Sequence, residues 1–187
     1  MYSNGTDKDT AKWAQNDHYY GLGLAYQLAN YRNTLIFEAA DNKGGDKETA
    51  YSINLGLGYD LGSITPQFAY QYAWQDDQYK QHVFGLSAAA PVAGGVVKAG
   101  VKYLLGKNET DEFKTTTGED KYNSLSISAA YEYPLSKRTT VWGFASWADG
   151  SKGYASSKLK DLKKADSSLK TANFDGYVLS VGMTHNF

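Results

Sequence analysis

The sequence predicts an all-β protein whose strands form one antiparallel up-and-down sheet. Apolar residues recur at every second position over most of the chain, which is typical of strands with one apolar and one polar face. Tight-turn sequences such as Asp60-Leu-Gly-Ser63 separate neighbouring segments. Short and longer connections alternate along the chain, so each kind should gather at its own end of a meander.

Nine segments are predicted as strands, and no domain boundary interrupts them, so we expect one domain over residues 1–187. The period is clearest in the third segment, where apolar side chains occupy every second position from Tyr51 to Tyr59. Serine, asparagine and glycine lie between them. The predicted strands span 18–29, 33–41, 49–60, 64–75, 81–90, 95–106, 122–133, 138–148 and 174–187.

Composition excludes several classes of protein. No apolar run reaches the roughly 18 residues that a membrane-spanning helix needs. A net charge of −1 and the lack of a basic block argue against binding to nucleic acid. The absence of cysteine excludes disulfides and thiolate metal sites.

No motif of a catalytic or metal site is visible. The three histidines, His18, His82 and His185, are far apart and lack metal-ligand spacing. No nucleophile elbow or phosphate-binding loop is found. Acidic loop residues near 76–77 and 109–112 are interpreted as solvated charges, with a divalent-cation site as the less favoured alternative. We therefore expect no enzyme activity, no cofactor and no bound metal.

The apolar face carries aromatic residues at its ends and aliphatic residues between them. Tyr51 and Tyr59 are eight residues apart, so about 26 Å along a strand, or about 20 Å high at a tilt near 40°. That height is close to the apolar band of about 25 Å in outer-membrane barrels, where aromatic rings line both borders. The predicted interfacial aromatics are Tyr51, Tyr59, Tyr70, Tyr72 and Trp74.

The opposite face is small or polar and should border water. Lys98 and Lys102 alternate with apolar residues, and a lysine on the lipid face costs about 2–4 kcal/mol at the midplane. Both lysines, and by the same argument Glu38, should therefore point into a lumen. The predicted pore-lining residues are Glu38, Asn54, Gln67, Gln71, Lys98 and Lys102. Strand 138–148 has no polar face, so its orientation stays open.

Two C-terminal segments resemble the closing strands of a known family. Tyr131-Glu-Tyr-Pro-Leu-Ser-Lys-Arg-Thr139 resembles the penultimate hairpin of Gram-negative general porins, particularly those of beta-proteobacteria. The ending Val181-Gly-Met-Thr-His-Asn-Phe187 is similar to their final strand with its terminal phenylalanine. The resemblance implies a trimeric, 16-stranded, water-filled transmembrane β-barrel in the cell outer membrane, of which our nine strands would be the last nine.

The resemblance also implies how the chain is oriented and assembled. Short turns would lie in the periplasm and long loops outside, with residues 1–16 the remainder of an extracellular loop and the chain a C-terminal portion. Small hydrophilic solutes and ions would diffuse through passively. The final strand would be the signal that the outer-membrane assembly machinery recognises, and the matching positions are Tyr177, Leu179, Val181, Met183 and Phe187.

A second reading of the function is left open. The chain could be a β-barrel surface protein without channel activity that binds a ligand or a host partner through its 107–121 and 149–173 loops. Dependence on detergent and conductance in bilayers would separate this reading from a porin that contacts membrane lipid.

Overall fold

A computed structural model describes residues 1–4, 17–41, 48–111, 114–115, 120–150 and 176–186, which form ten strands. Nine of them match the predicted spans, each end lying within two residues of its expected position. The strands are β1 (Tyr2–Asn4), β2 (His18–Leu28), β3 (Tyr31–Asp41), β4 (Ala50–Tyr59), β5 (Thr65–Gln75), β6 (Tyr79–Val92), β7 (Gly95–Asn108), β8 (Lys121–Pro134), β9 (Thr139–Gly150) and β10 (Gly176–His185).

The strands form one sheet in chain order, each antiparallel to the next. The all-β up-and-down prediction is therefore confirmed, with ten strands instead of nine. The additional strand, β1, lies in the stretch expected to be loop, and residues 5–16 of that stretch lie outside the described residues. Strands β1 and β10 are the two open edges of the sheet.

The connections differ between the two ends of the sheet. Turns of two to five residues join strands at one end, at 29–30, 60–64, 93–94 and 135–138. At the other end the turn at 76–78 is also short, while the remaining connections are longer. In the 60–64 turn Gly62 has a φ of 83° and donates its N–H to Asp60 Oδ1 at 2.8 Å, an Asx-type turn in which glycine avoids the steric cost of positive φ.

The apolar side chains do not pack into a core. Among the described residues the buried apolar side chains are only Ala39, Ala73 and Leu104. Large aliphatic side chains instead lie open along the sheet, with Leu22 69% exposed and Val181 86% exposed. A dry sandwich would bury such residues against a second sheet, so this apolar face needs an apolar surrounding of another kind. No described helix is both long enough and apolar enough to span a bilayer.

Candidate pore-lining face

The strand register divides the side chains into two continuous faces. Residues directly opposite each other in neighbouring antiparallel strands share a face, so the pairing can be followed from β2 to β10. One row, for example, runs Leu24, Leu35, Leu55, Tyr70, Phe84, Tyr103, Leu125. A second row, on the other face, runs Gly21, Glu38, Ser52, Ala73, Gln81, Gly106, Tyr122. We call these the apolar face and the polar face.

All six predicted pore-lining residues share the polar face. Glu38 lies near the end with longer connections, Asn54 and Gln71 lie near the middle of the next two strands, and Gln67 and Lys98 lie nearer the short turns. Lys102 lies at the middle of β7 between Gly85 and Ser126. A cavity of about 690 Å³ on this face is lined by residues from β3 to β9, among them Asn54, Gln67, Gln71 and Lys102.

Glu38 is the centre of a hydrogen-bonded chain that crosses four strands. Tyr19 donates its hydroxyl to Glu38 Oε1, and Ser52 Oγ donates to Oε2 at 2.8 Å. Asn54 Nδ2 also donates to Oε2, at 2.9 Å, and Gln71 Nε2 donates to Asn54 Oδ1 at 2.7 Å. The carboxylate therefore keeps its charge on the polar face while three donors fix its position.

The two predicted lysines differ in their surroundings. Lys98 Nζ lies 2.6 Å from Glu132 Oε1, so its charge is balanced by a partner on the neighbouring strand. Lys102 has no carboxylate within 4.0 Å among the described residues. Its strand neighbours on the same face, Gly85 and Ser126, carry no charge. Lys102 is thus the lysine whose charge is not offset locally.

The register resolves the orientation of β9, which the sequence left open. Trp142 and Phe144 lie on the polar face, while Val141 and Trp147 lie on the apolar face. Trp142 is paired with Gly182, and a Cβ at position 182 would overlap the indole ring. The ring thus covers the glycine of the adjacent strand, so that a large apolar side chain lies along the wall on the polar face.

All five predicted interfacial aromatics lie on the apolar face, and three of them, Tyr51, Tyr72 and Trp74, cluster near the end with longer connections. Trp74 stacks on Tyr51 and Tyr72, with ring centroids 5.3 and 4.9 Å apart. At the other end Tyr59 contacts Tyr31 at 5.2 Å. Tyr70 lies at the midpoint of β5, 5.2 Å from Phe84, farther from the strand ends than the other four. Two separate aromatic groups thus border a mainly aliphatic band.

The apolar side chains of the final strand, β10, are exposed. Tyr177, Leu179, Val181 and Met183 all lie on the apolar face, between 64% and 86% exposed. They are held by pairing with β9 on one side only, since β10 is an edge strand. Phe187, the remaining member of the predicted assembly signal, lies outside the described residues.

The histidines and acidic groups are not gathered into a metal site among the described residues. His18 is buried with its Nδ1 2.9 Å from the Tyr2 hydroxyl, and His82 Nδ1 lies 2.8 Å from the Tyr70 hydroxyl. Glu109 lies between two lysines, 3.2 Å from Lys80 Nζ and 3.4 Å from Lys107 Nζ.

Several residues of the polar face were not predicted from the sequence. Arg32 and Glu132 carry charge on this face, and Tyr19 and Ser52 hold Glu38. The alternating pattern already assigned Ser52 to this side, but nothing local in the sequence indicates that Glu132 meets Lys98, 34 residues away. Such partners follow only from the register.

An antiparallel meander with an aromatic-bordered apolar face and a polar face has the construction of an outer-membrane β-barrel. A family model described as Gram-negative porin matches residues 1–153. The chain therefore belongs to the Gram-negative porin family and is a protein of the cell outer membrane. A search of curated proteins found no match.

Solved outer-membrane structures share the fold. An anion-selective porin from Comamonas acidovorans has 21% sequence identity and a TM-score of 0.61, with 99% of this chain and 52% of that chain covered. A loop-deletion mutant of OmpT, an outer-membrane protein of Vibrio cholerae, has 12% identity and a TM-score of 0.63, with 80% and 52% covered. This chain thus spans about half the length of the solved chains that it matches.

Proposed function

We propose that the polar face of this porin lines a water-filled channel through which small hydrophilic solutes and ions diffuse passively, without catalysis. The observation that carries the proposal is the separation of the two faces along the same strands. The polar face holds Glu38, Lys98, Lys102 and Glu132, whose charges would be costly in lipid. Charges on the wall of such a channel would set its ion preference.

The unbalanced charge of the polar face is positive. In the described strands β2–β10 this face carries three positive charges and two negative ones. The positive residues are Arg32, Lys98 and Lys102, and the negative ones are Glu38 and Glu132. Because Lys98 and Glu132 offset each other, Arg32 and Lys102 are the remaining positive charges. Lys102 lies at the middle of its strand and Arg32 beside a short turn, so Lys102 should contribute most to a preference for anions, partly opposed by Glu38. The description of the Comamonas porin as anion-selective supports this direction.

Reversal potentials in planar bilayers test the proposal. The native protein is compared with the K102Q variant under a gradient of potassium chloride. We expect K102Q to move the reversal potential toward potassium preference, because a positive charge has been removed from the wall. The double variant K98Q/E132Q is the matched control, since it removes a charge pair and leaves the net charge unchanged.

Two results would count against the proposal. A native protein that folds in detergent but gives no ionic current would argue for the alternative binding function. A current whose reversal potential is the same in K102Q and the native protein would mean that Lys102 does not face the ion path, even if the protein is a channel.

We also infer that the last strand is the assembly signal and that the native protein is a homotrimer. The exposed row Tyr177, Leu179, Val181 and Met183 on an edge strand supports the first inference. Deleting Phe187 should lower the amount of folded, heat-modifiable protein in the outer membrane. Normal insertion of that variant would contradict the signal, and an unheated species with the mass of one chain would contradict the trimer.

A further inference from the structure

Two aromatic side chains of β9 lie on the polar face. Trp142 and Phe144 are two residues apart, so they follow one another along the same side of the strand. The Trp142 ring packs over Gly182 of β10, which fixes its position against the wall, and the residue is only half-buried. Phe144 is 36% exposed, much like Phe84 on the apolar face at 40%. Lipid covers Phe84, whereas the rings on the polar face meet water or a solute.

An ion pair borders the two rings. Glu132 of β8 is directly opposite Trp142, and Ala130 is directly opposite Phe144. On the other side of Ala130 lies Lys98 of β7, whose Nζ is 2.6 Å from Glu132 Oε1. Because Ala130 is small, the space between Lys98 and Phe144 stays open, and a cavity of about 420 Å³ is lined by these three residues among others. The rings and the ion pair thus form one continuous patch.

The ion pair is balanced in charge but uses only part of its capacity for hydrogen bonds. An ammonium group has three donors and a carboxylate about four acceptor positions, and one hydrogen bond joins Lys98 to Glu132. Neither side chain makes a second hydrogen bond within the part of the chain that the structure describes, and both are partly exposed. The remaining donors and acceptors are therefore available to a polar molecule that lies beside the rings.

We propose that Trp142, Phe144, Lys98 and Glu132 bind a neutral sugar on the polar face. A sugar has apolar C–H groups on one side of its ring, which pack on aromatic rings, and hydroxyl groups at its edge, which an ion pair can bind. A neutral solute is favoured over an anion because Glu132 offsets the charge of Lys98. A zwitterion is disfavoured because it would have to separate the pair.

The inference rests on the proposed function, since a sugar reaches these rings only if the polar face borders water. Saturation-transfer NMR of maltotriose with the native protein in amine-oxide micelles tests the site, because such micelles have no sugar headgroup that competes. F144L keeps an apolar side chain but removes the ring, and it should bind maltotriose about fivefold more weakly, as expected for the loss of one aromatic contact. F84L is the matched control, since it makes the same change on the apolar face, and it should bind like the native protein.

Equal affinity of the native protein and F144L, or an equal loss in F84L, would overturn the sugar site. Tighter binding of glucose 6-phosphate than of glucose would overturn it by assigning an anion, and tighter binding of phenylalanine would assign a zwitterion. Ionic current of the same preparation in planar bilayers separates the two proposals. A protein that conducts but does not bind maltotriose refutes the sugar site alone, whereas one that gives no current refutes the channel. If F144L does not fold, F144M is compared with F84M.

Discussion

The two faces of this sheet are made from alternate residues of the same strands, yet they are stabilised in different ways. On the apolar face Leu22 and Val181 are more than 65% exposed and contact no second layer, so their burial must come from lipid. On the polar face Glu38 and Lys98 find partners on neighbouring strands. The surroundings of each face, and not strand propensity, therefore decide which residues it tolerates.

The largest expected effect comes from placing the same charge on each face in turn. Leu35 and Ile36 are adjacent aliphatic residues at the middle of β3, 46% and 38% exposed, and they lie on opposite faces. L35K should lower the free energy of unfolding in lipid by about 2–4 kcal/mol, because its ammonium group would enter hydrocarbon. I36K should change it by less than about 1 kcal/mol, because its side chain meets water.

Urea unfolding of the native protein reconstituted in lipid vesicles measures both variants. Equal destabilisation by L35K and I36K would show that the two faces do not differ in their surroundings. A larger loss for I36K than for L35K would mean that the two faces have been assigned the wrong way round.

A smaller effect is expected where an aromatic ring covers a glycine on the polar face. A Cβ at position 182 would overlap the ring of Trp142, whereas a Cβ at position 143 would have no atom within 4 Å. G182A should therefore destabilise the protein by about 1–3 kcal/mol through displacement of the ring. G143A, on the apolar face of the paired strand, is the control and should be nearly neutral in the same unfolding measurement. Comparable losses would contradict the packing of Trp142 over Gly182.

The same pair shows what the sequence can and cannot predict. Alternation of side chains is a local property, so the strand spans and the facing of Lys98 and Lys102 follow from it directly. In β9 the signal fails, because Trp142 on the polar face is as apolar as Trp147 on the other. Trp142 fits on the polar face because its ring packs over Gly182, which has no side chain. Gly182 comes 40 residues later, and only the register brings the two together.

The partners of charged residues also depend on the strand register and not on the local sequence. Glu38 could be assigned to the polar face from its own strand, while the donors Tyr19 and Asn54 belong to the strands on either side. β1 was missed for a related reason, because its three residues are too few to show a period and are defined by pairing with β2. Sequence pattern thus predicts which face a residue takes, and pairing decides what it contacts there.

Tyr19 and Tyr20 are adjacent but lie on opposite faces, and removing a hydroxyl from each should differ by about 1 kcal/mol in the free energy of unfolding. Tyr19 donates its hydroxyl to Glu38 on the polar face, whereas Tyr20 lies on the apolar face with its ring tilted against that of Tyr2, the centroids 5.4 Å apart. Y19F should lower the free energy of unfolding by about 1 kcal/mol, the usual value for losing one hydrogen bond. Y20F keeps the ring and should leave it unchanged. Urea midpoints that fall equally for both would show that the bond to Glu38 adds no stability.

The smallest effect is expected at the exposed end of the sheet with longer connections. There the contact between Glu109 and Lys80 decides how the free energy of unfolding changes with pH. The hydrogen bond and charge of Lys80 lower the pKa of Glu109 below its usual value. A lowered pKa in the folded state stabilises the protein above the unfolded carboxyl pKa, about 4.3, and this contribution is lost as the pH falls through the lowered value. E109Q should therefore unfold at a slightly lower urea concentration than the native protein at pH 7, and the difference should be smaller at pH 3. D77N is the control, because Asp77 lies in the neighbouring turn and has no lysine within 4.0 Å among the described residues. Its difference in urea midpoint from the native protein should not change with pH in this way. A difference for E109Q that is the same at both pH values would contradict the contact with Lys80.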